Sequence, residues 1–135
     1  MISTLVVDTD VVSFIFKRDT RGALYKPHLA GKLMTISFMT RAELFQWAEL
    51  YAWGKRKRER LEQYLTSFVV IHSTNELCLK WAEVRGNAKQ LGRPIGSADA
   101  WIAATALLHN APLVTHNIKH YASVGGLTII SDTAS

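Results

Sequence analysis

The feature that most restricts the folds open to this chain is a recurrence. Short runs of β-branched and aliphatic residues alternate with stretches of helical length. "STLVVD" opens the series, then "LMTISF" at 33–38, "FVVIH" at 68–72, "PLVTHN" and a short "LTIIS". Each run is short and bounded by polar or turn residues, which reads as a strand. A helix is expected over 10–17, with Asp8 or Thr9 near its N-cap. "KRDTRGALYKPHLAG" predicts a turn and a short helix disturbed by Pro27 and closed by Gly31. "TRAELFQWAELYAW" predicts a helix ending at Gly54, with Thr40 and Glu43 spaced as a capping box. "RKRERLEQYLTSF" predicts another, with Leu61 and Leu65 on one face. A long helix follows from near Thr74 to near Gly92, and an Ala-rich one from about Ser97. Strands alternating with helices predict an α/β fold whose central, mostly parallel sheet of four to five strands carries helices on both faces. The 135 residues are read as one domain over 1–135.

Several classes are excluded at this level. No apolar stretch approaches the roughly 20 residues that cross a bilayer, so no membrane partner is expected. "MISTLVVDTD" lacks the basic start and small-residue cleavage site of a signal peptide. Cys78 is the single cysteine, so no intrachain disulfide forms. These features place the protein in the cytoplasm as an expectation. The formal net charge of +5 and pI of about 9.6 favour polyanionic partners, nucleic acid first. Much of the excess lies in "KRKRER" at 55–60, which also reads as a solvated helix face.

Most of the 11 acidic residues sit at polar surface positions. Three do not. Asp8 ends the apolar run Leu5, Val6, Val7, and a carboxylate there is costly unless it is paired or bound to a metal. Its ordinary alternative is a helix N-cap. Glu43 follows the second strand and shares a helical face with Trp47 and Leu50. Its alternative is the capping box with Thr40. Asp99 lies in the first turn of the last helix, on one stripe with Ile102, Ala103 and Ala106. A surface acid avoids such a stripe. All three fall at ends of elements, which a parallel sheet can gather at one edge, beyond the carboxyl ends of its strands. Three carboxylates together repel unless a hard divalent cation sits among them. Oxygen ligands favour Mg²⁺ or Mn²⁺ over zinc, and the chain holds no C-x-x-C and no H-E-x-x-H.

These residues fall into a pattern. "VVDTDVVSFIF", "ISFMTRAELFQWA", "GRPIGSADAWIAATAL" and "PLVTHNIKHYASVGGLTII" resemble, in order, the motifs of the PIN-domain ribonucleases, and most closely the VapC-type toxins of bacterial toxin–antitoxin pairs. Each motif alone is weak, but four in order are specific. The resemblance covers nearly the whole chain and implies a PIN-like three-layer fold. It implies a metal-dependent endoribonuclease in which Asp8, Glu43 and Asp99 are catalytic and hold Mg²⁺ or Mn²⁺. A water activated at that site would attack phosphorus in line, leaving a 5′-phosphate and a 3′-hydroxyl. It further implies an RNA substrate, a cognate antitoxin protein and a homodimer.

Two departures bear on the site. Asp10 stands where the pattern commonly has Asn, and is either a further metal ligand or a local hydrogen-bonding residue at the helix start. The closing run "THNIKHY" keeps Asn117, a further candidate ligand, but has His120 and Tyr121 where the pattern has Asp-Phe. The loss of that acid leaves open a second reading, a catalytically weakened PIN-like domain that binds RNA or protein. A phosphatase-like reading of the D-x-D in "DTD" is disfavoured, because 135 residues leave little room for a cap domain.

Thr9, Arg41, Arg93, Ser97 and Thr115 are candidate substrate contacts, with His116 as a further polar group. Thr9 and Ser97 also read as helix caps, and Arg41 as an ion-pair partner. His116 and His120 read first as surface histidines. Trp47, Trp53, Trp81 and Trp101 are all candidates for stacking on bases; Trp47 and Trp81 lie on apolar helix stripes and read first as core, and Trp53, beside the basic run, is the better candidate for a protein or nucleic-acid partner surface.

Overall fold

The structure is a computed structural model that describes residues 2–132. Five strands form one sheet: β1 (Thr4–Val7), β2 (Leu33–Ser37), β3 (Val69–Ile71), β4 (Leu113–Val114) and β5 (Ile129–Ile130). Their order is β3-β2-β1-β4-β5, and all four pairings are parallel. Six helices complete the fold: α1 (Thr9–Phe16), α2 (Thr20–Leu29), α3 (Phe38–Leu50), α4 (Lys55–Leu65), α5 (Asn75–Gln90) and α6 (Ser97–Leu108). A 3₁₀ turn, Ile118–Tyr121, follows β4.

The two-residue period of β1 produces the three layers. Leu5 and Val7 point to one side, where they join Val11, Val12, Phe16, Leu44, Leu61 and Leu65 from α1, α3 and α4. Val6 points to the other side and joins Leu77, Val84, Ala88 and the Ile102–Ala104 segment from α5 and α6. β4 divides the same way, with Leu113 in the second cluster and Val114 in the first. Central strands buried on both faces must be continuously apolar, which is why "LVV" runs without a polar break until Asp8.

This topology places the site. The chain moves outward from β1 through β2 to β3, then crosses to the opposite side of β1 to lay down β4 and β5. In such a sheet a crevice forms beyond the carboxyl ends of the two strands where the order reverses, here β1 and β4. The Asp8 amide donates to the Val114 carbonyl at 2.8 Å, tying these ends together.

Several sequence expectations shift at element ends. α3 begins at Phe38, because Ser37 at the end of β2 takes the cap and accepts from the Met39 amide at 3.0 Å. Thr40 therefore lies inside the first turn, fully buried, and the Thr40–Glu43 capping box does not form. α6 is capped by Gly96, without a side-chain bond, so Ser97 is its first helical residue and not its cap. α2 continues through Pro27 to Leu29. The proline takes away the donor for the Ala23 carbonyl, and Ala23 is exposed, so water can serve it. Gly31 then closes the connection at φ +73°.

The aromatic residues are also redistributed. Trp53 stacks on Phe16 at 5.8 Å between centroids, with Lys57 4.0 Å above its ring, so it packs within the fold as well as bordering the basic run. That run is itself engaged: Arg58 pairs with Glu49 at 2.7 Å and donates to the carbonyls of Trp53 and Ala48. Trp47 packs partly buried against the first cluster. Trp81 stacks on Trp101 at 4.8 Å. Leu50 is 67% exposed and does not extend the stripe of Glu43 into the core. No described helix is long and apolar enough to cross a membrane.

Candidate active site

Asp8 is the hub. It follows the last residue of β1 and caps α1, its Oδ1 accepting from the Thr9 amide at 2.7 Å. Its Oδ2 accepts from the Thr115 hydroxyl at 2.7 Å and the Tyr121 hydroxyl at 2.9 Å. The cap and the site are thus the same residue, and the two alternatives for Asp8 coexist. The side chain is buried, with three donors on one carboxylate. Burial nevertheless pushes its carboxyl above the usual carboxylate range, against the hydrogen bonds from Thr115, Tyr121 and Thr9, and the Asp99 charge pushes the same way.

Glu43 reaches the hub through Thr9. The Thr9 hydroxyl donates to Glu43 Oε1 at 2.8 Å and lies 2.9 Å from the Thr40 hydroxyl. Asp99 reaches it from the first turn of α6, its Oδ1 3.4 Å from the Tyr121 hydroxyl. Its Oδ2 lies 3.3 Å from His120 Nδ1. Both acids are half-buried. Burial raises each carboxyl; Asp8 and Asp99 raise Glu43 further, while His120 and the Tyr121 hydroxyl act to lower Asp99.

Asp10 and Asn117 meet each other. Asp10 Oδ1 accepts from the Val11 amide, and Oδ2 accepts from the His116 amide at 3.1 Å and from Asn117 Nδ2 at 3.0 Å. Burial, followed by the Asp8 charge, pushes Asp10 up to about 7. The Val11 contact is the local bond expected at the helix start, whereas the His116 and Asn117 contacts span more than 100 residues of chain. The Asn117 amide in turn donates to Thr115 Oγ1 at 3.0 Å, closing the network between β4 and α1.

Thr9, Thr115 and Asn117 thus join the acids. Arg41, Arg93 and Ser97 are placed differently. Arg41 is exposed on α3 and lies over the Phe45 ring at 5.3 Å. Arg93 is exposed in the loop before α6, its amide bonded to the Ala88 carbonyl. Ser97 gives its carbonyl to Trp81 Nε1 at 3.2 Å. Among the described residues, no hydrogen bond or ion pair ties any of the three side chains to the carboxylates of the site. His116 is half-buried, edge-on to both Phe14 and Tyr25, so it packs more closely than a surface histidine.

Sequence reasoning missed Tyr121 and Thr40. Tyr121 was visible as a substitution in "THNIKHY", but its hydroxyl bridge depends on the 3₁₀ turn folding back over β1. Thr40 was read as a cap, and only the Ser37 cap frees it to meet Thr9.

The chemistry of this donor set suits a hard divalent cation. The acids offer oxygen, their charges repel, and burial pushes all four toward protonation. Among the described residues, no three Asp, Glu, His or Cys side chains close on one point as a finished ion site does. The hydroxyls of Thr9 and Tyr121 stand between the carboxylates. The fit is one of charge and donor type.

Comparison with known proteins places this geometry in a family. The PIN domain matches residues 5–126. Ribonuclease VapC1 of Haemophilus influenzae strain R2866 is 31% identical over 128 residues, covering 90% of this chain and 92% of the relative. The structure of VapBC-1 from nontypeable Haemophilus influenzae superposes with a TM-score of 0.83 at 26% identity, covering 97% of this chain and 99% of that one. A toxin–antitoxin complex from Klebsiella pneumoniae gives a TM-score of 0.73 at 25% identity, covering 93% and 95%. Together with the parallel sheet and the acids gathered at its carboxyl edge, these matches establish that the chain belongs to the PIN-domain family, among the VapC ribonucleases.

Proposed function

We propose that this protein is a metal-dependent endoribonuclease and the toxin of a toxin–antitoxin pair. The observation that carries the reading is the convergence of Asp8, Asp10, Glu43 and Asp99, from three separate stretches of sequence, into one hydrogen-bonded network at the sheet's carboxyl edge. Asp8, Glu43 and Asp99 would hold Mg²⁺ or Mn²⁺, with Asp10 and Asn117 as further ligands. When bound, the cation supplies neutralising charge to the phosphodiester and acidifies a water for in-line attack.

The chain's own residues prepare that chemistry. Thr115 and the Thr9 amide fix the Asp8 carboxylate, and Thr9 fixes Glu43. Asn117 holds Asp10 and so sets the outer rim of the site. The basic surface offers the RNA backbone its counter-charge. Arg41 and Arg93 serve there, away from the carboxylates, and Ser97 contributes at the start of α6. An antitoxin protein is the partner that the VapBC relatives support, and pairing into a homodimer is the accompanying expectation. The whole chain, 1–135, acts as one nuclease domain in the cytoplasm.

The test is direct. The purified protein should cleave RNA with Mg²⁺ or Mn²⁺, and Asp8→Asn or Asp99→Asn should lower the rate by at least about 100-fold, as removal of charge at the reacting centre does. Full activity in EDTA, or in both variants, would falsify the reading. The binding-module alternative is not favoured, since the relatives are ribonucleases and Asp8, Glu43 and Asp99 are retained although His120 replaces the closing acid. RNA bound tightly but never cut, at any metal concentration, would revive it.

A further inference from the structure

Tyr121 is 1% exposed, and its hydroxyl lies 2.9 Å from Asp8 Oδ2 and 3.4 Å from Asp99 Oδ1. A phenol has one proton to give. It serves Asp8 at the shorter distance while its oxygen stays within reach of Asp99. These two acids come from the end of β1 and from α6, elements separated by most of the chain, and among the described residues no other side chain is hydrogen-bonded to both. We propose that Tyr121 is a positioning residue for cation binding: its shared phenol proton holds the Asp8 and Asp99 carboxylates in register with each other. This rests on the metal-dependent reading above.

Two observations converge on it. First, Asp8 divides its donors unequally. Oδ2 takes both hydroxyls, while Oδ1 takes the Thr9 amide alone. A carboxylate oxygen has two acceptor sites, so Oδ1 retains one for an ion. Second, the phenol is anchored. Tyr121 belongs to the second core cluster, packed with Val6 and Leu113, so its hydroxyl is delivered by a fixed ring. A hydrogen bond from a neighbour fixes the orientation of a ligating group, and loss of such a neighbour typically costs about 10- to 100-fold in metal affinity.

The experiment is a Mn²⁺ titration followed by the electron paramagnetic resonance of free Mn²⁺. It uses the wild-type chain, Tyr121→Phe and Tyr64→Phe. Tyr64 is a part-buried tyrosine packed against Phe16 and Phe68, and it controls for loss of any such hydroxyl. Tyr121→Phe should weaken Mn²⁺ binding by about tenfold, with Tyr64→Phe matching wild type. RNA cleavage by Tyr121→Phe should need about tenfold more Mn²⁺ for half its maximum, yet approach the wild-type rate at saturation, because the buried phenol acts through the two carboxylates. A purely structural role would lower the rate at every metal concentration. Wild-type affinity in Tyr121→Phe, or a rate loss that saturating Mn²⁺ does not restore, overturns the proposal. Failure of the wild-type chain to bind Mn²⁺ at all overturns the metal reading beneath it, and is a different result. If Tyr121→Phe does not fold, the wild-type near-UV tyrosine band is followed during the titration. It should shift with the midpoint of Mn²⁺ binding, and a flat band counts against the proposal.

Discussion

Asp10 carries two jobs that a single substitution separates. As a hydrogen-bond acceptor it joins α1 to the segment after β4, through the His116 amide and Asn117 Nδ2. As a charge it adds to the repulsion around Asp8. An asparagine keeps an acceptor oxygen and removes the charge. Asp10→Asn should therefore leave the metal-free protein as stable or more stable, while weakening Mn²⁺ binding by about tenfold if Asp10 contributes to the ion. Thermal unfolding and calorimetric titration report the two effects separately. Unchanged Mn²⁺ affinity would assign Asp10 to the local network alone. The sequence marked Asp8, Glu43 and Asp99 as misfits because each sits where an apolar or surface-neutral residue is the cheaper choice. It could not mark Tyr121, because a tyrosine in an apolar position is ordinary and its hydroxyl acquires meaning only from what it faces.

The elements themselves were largely legible, because strand and helix periods are local properties of the chain. Their ends were less so. Ser37, Phe38 and Thr40 illustrate the difficulty. Two hydroxyl residues three apart each make a credible cap, and the choice depends on where β2 stops pairing with its neighbours. β2 pairs with β3 as far as Ser37, so Ser37 is the residue free to turn the chain. The α1–α2 contact is a sharper case. A Cβ on Gly22 would lie 3.0 Å from the Ile15 nitrogen and 3.1 Å from the Phe14 carbonyl carbon. These are backbone atoms and cannot swing aside. Gly22→Ala should force α2 away from α1 and cost about 1–3 kcal/mol by overpacking. A urea unfolding midpoint unchanged from wild type would show that the two helices separate freely. Nothing in "TRGALY" distinguishes this glycine from the exposed Gly31 or Gly92; only the approach of the two helices does.

For the whole molecule, the carboxylates make stability depend on pH and on cations together. Asp8, Glu43 and Asp99 are raised by burial, Asp8 and Glu43 by neighbouring carboxylate charge as well, and Asp10 is pushed up to about 7, with His116 and His120 as the neighbouring imidazoles. A group whose folded pKa is raised binds its proton more tightly when folded. Its stabilising contribution is full below the unfolded value near 4 and is lost as pH rises through the folded value. For Asp10 that window runs from about 4 to about 7. The EDTA-treated protein should therefore melt at a higher temperature at pH 6 than at pH 8. On the proposed metal-dependent reading a cation takes the acids deprotonated, so the melting temperature that Mg²⁺ adds should be larger at pH 8 than at pH 6. Scanning calorimetry at the two pH values, with and without Mg²⁺, measures both; a Mg²⁺ effect independent of pH would separate the cation from these carboxylates. By itself the sequence determined the alternation of strands and helices, the parallel sheet it imposes, and the misfit acids, since each follows from residue type and spacing along the chain. The tertiary structure alone decided which groups meet at the edge where β1 and β4 end: Tyr121 on Asp8 and Asp99, Thr9 on Glu43, Asn117 on Asp10. Those contacts join residues 22 to 113 positions apart, and no local rule of spacing reaches that far.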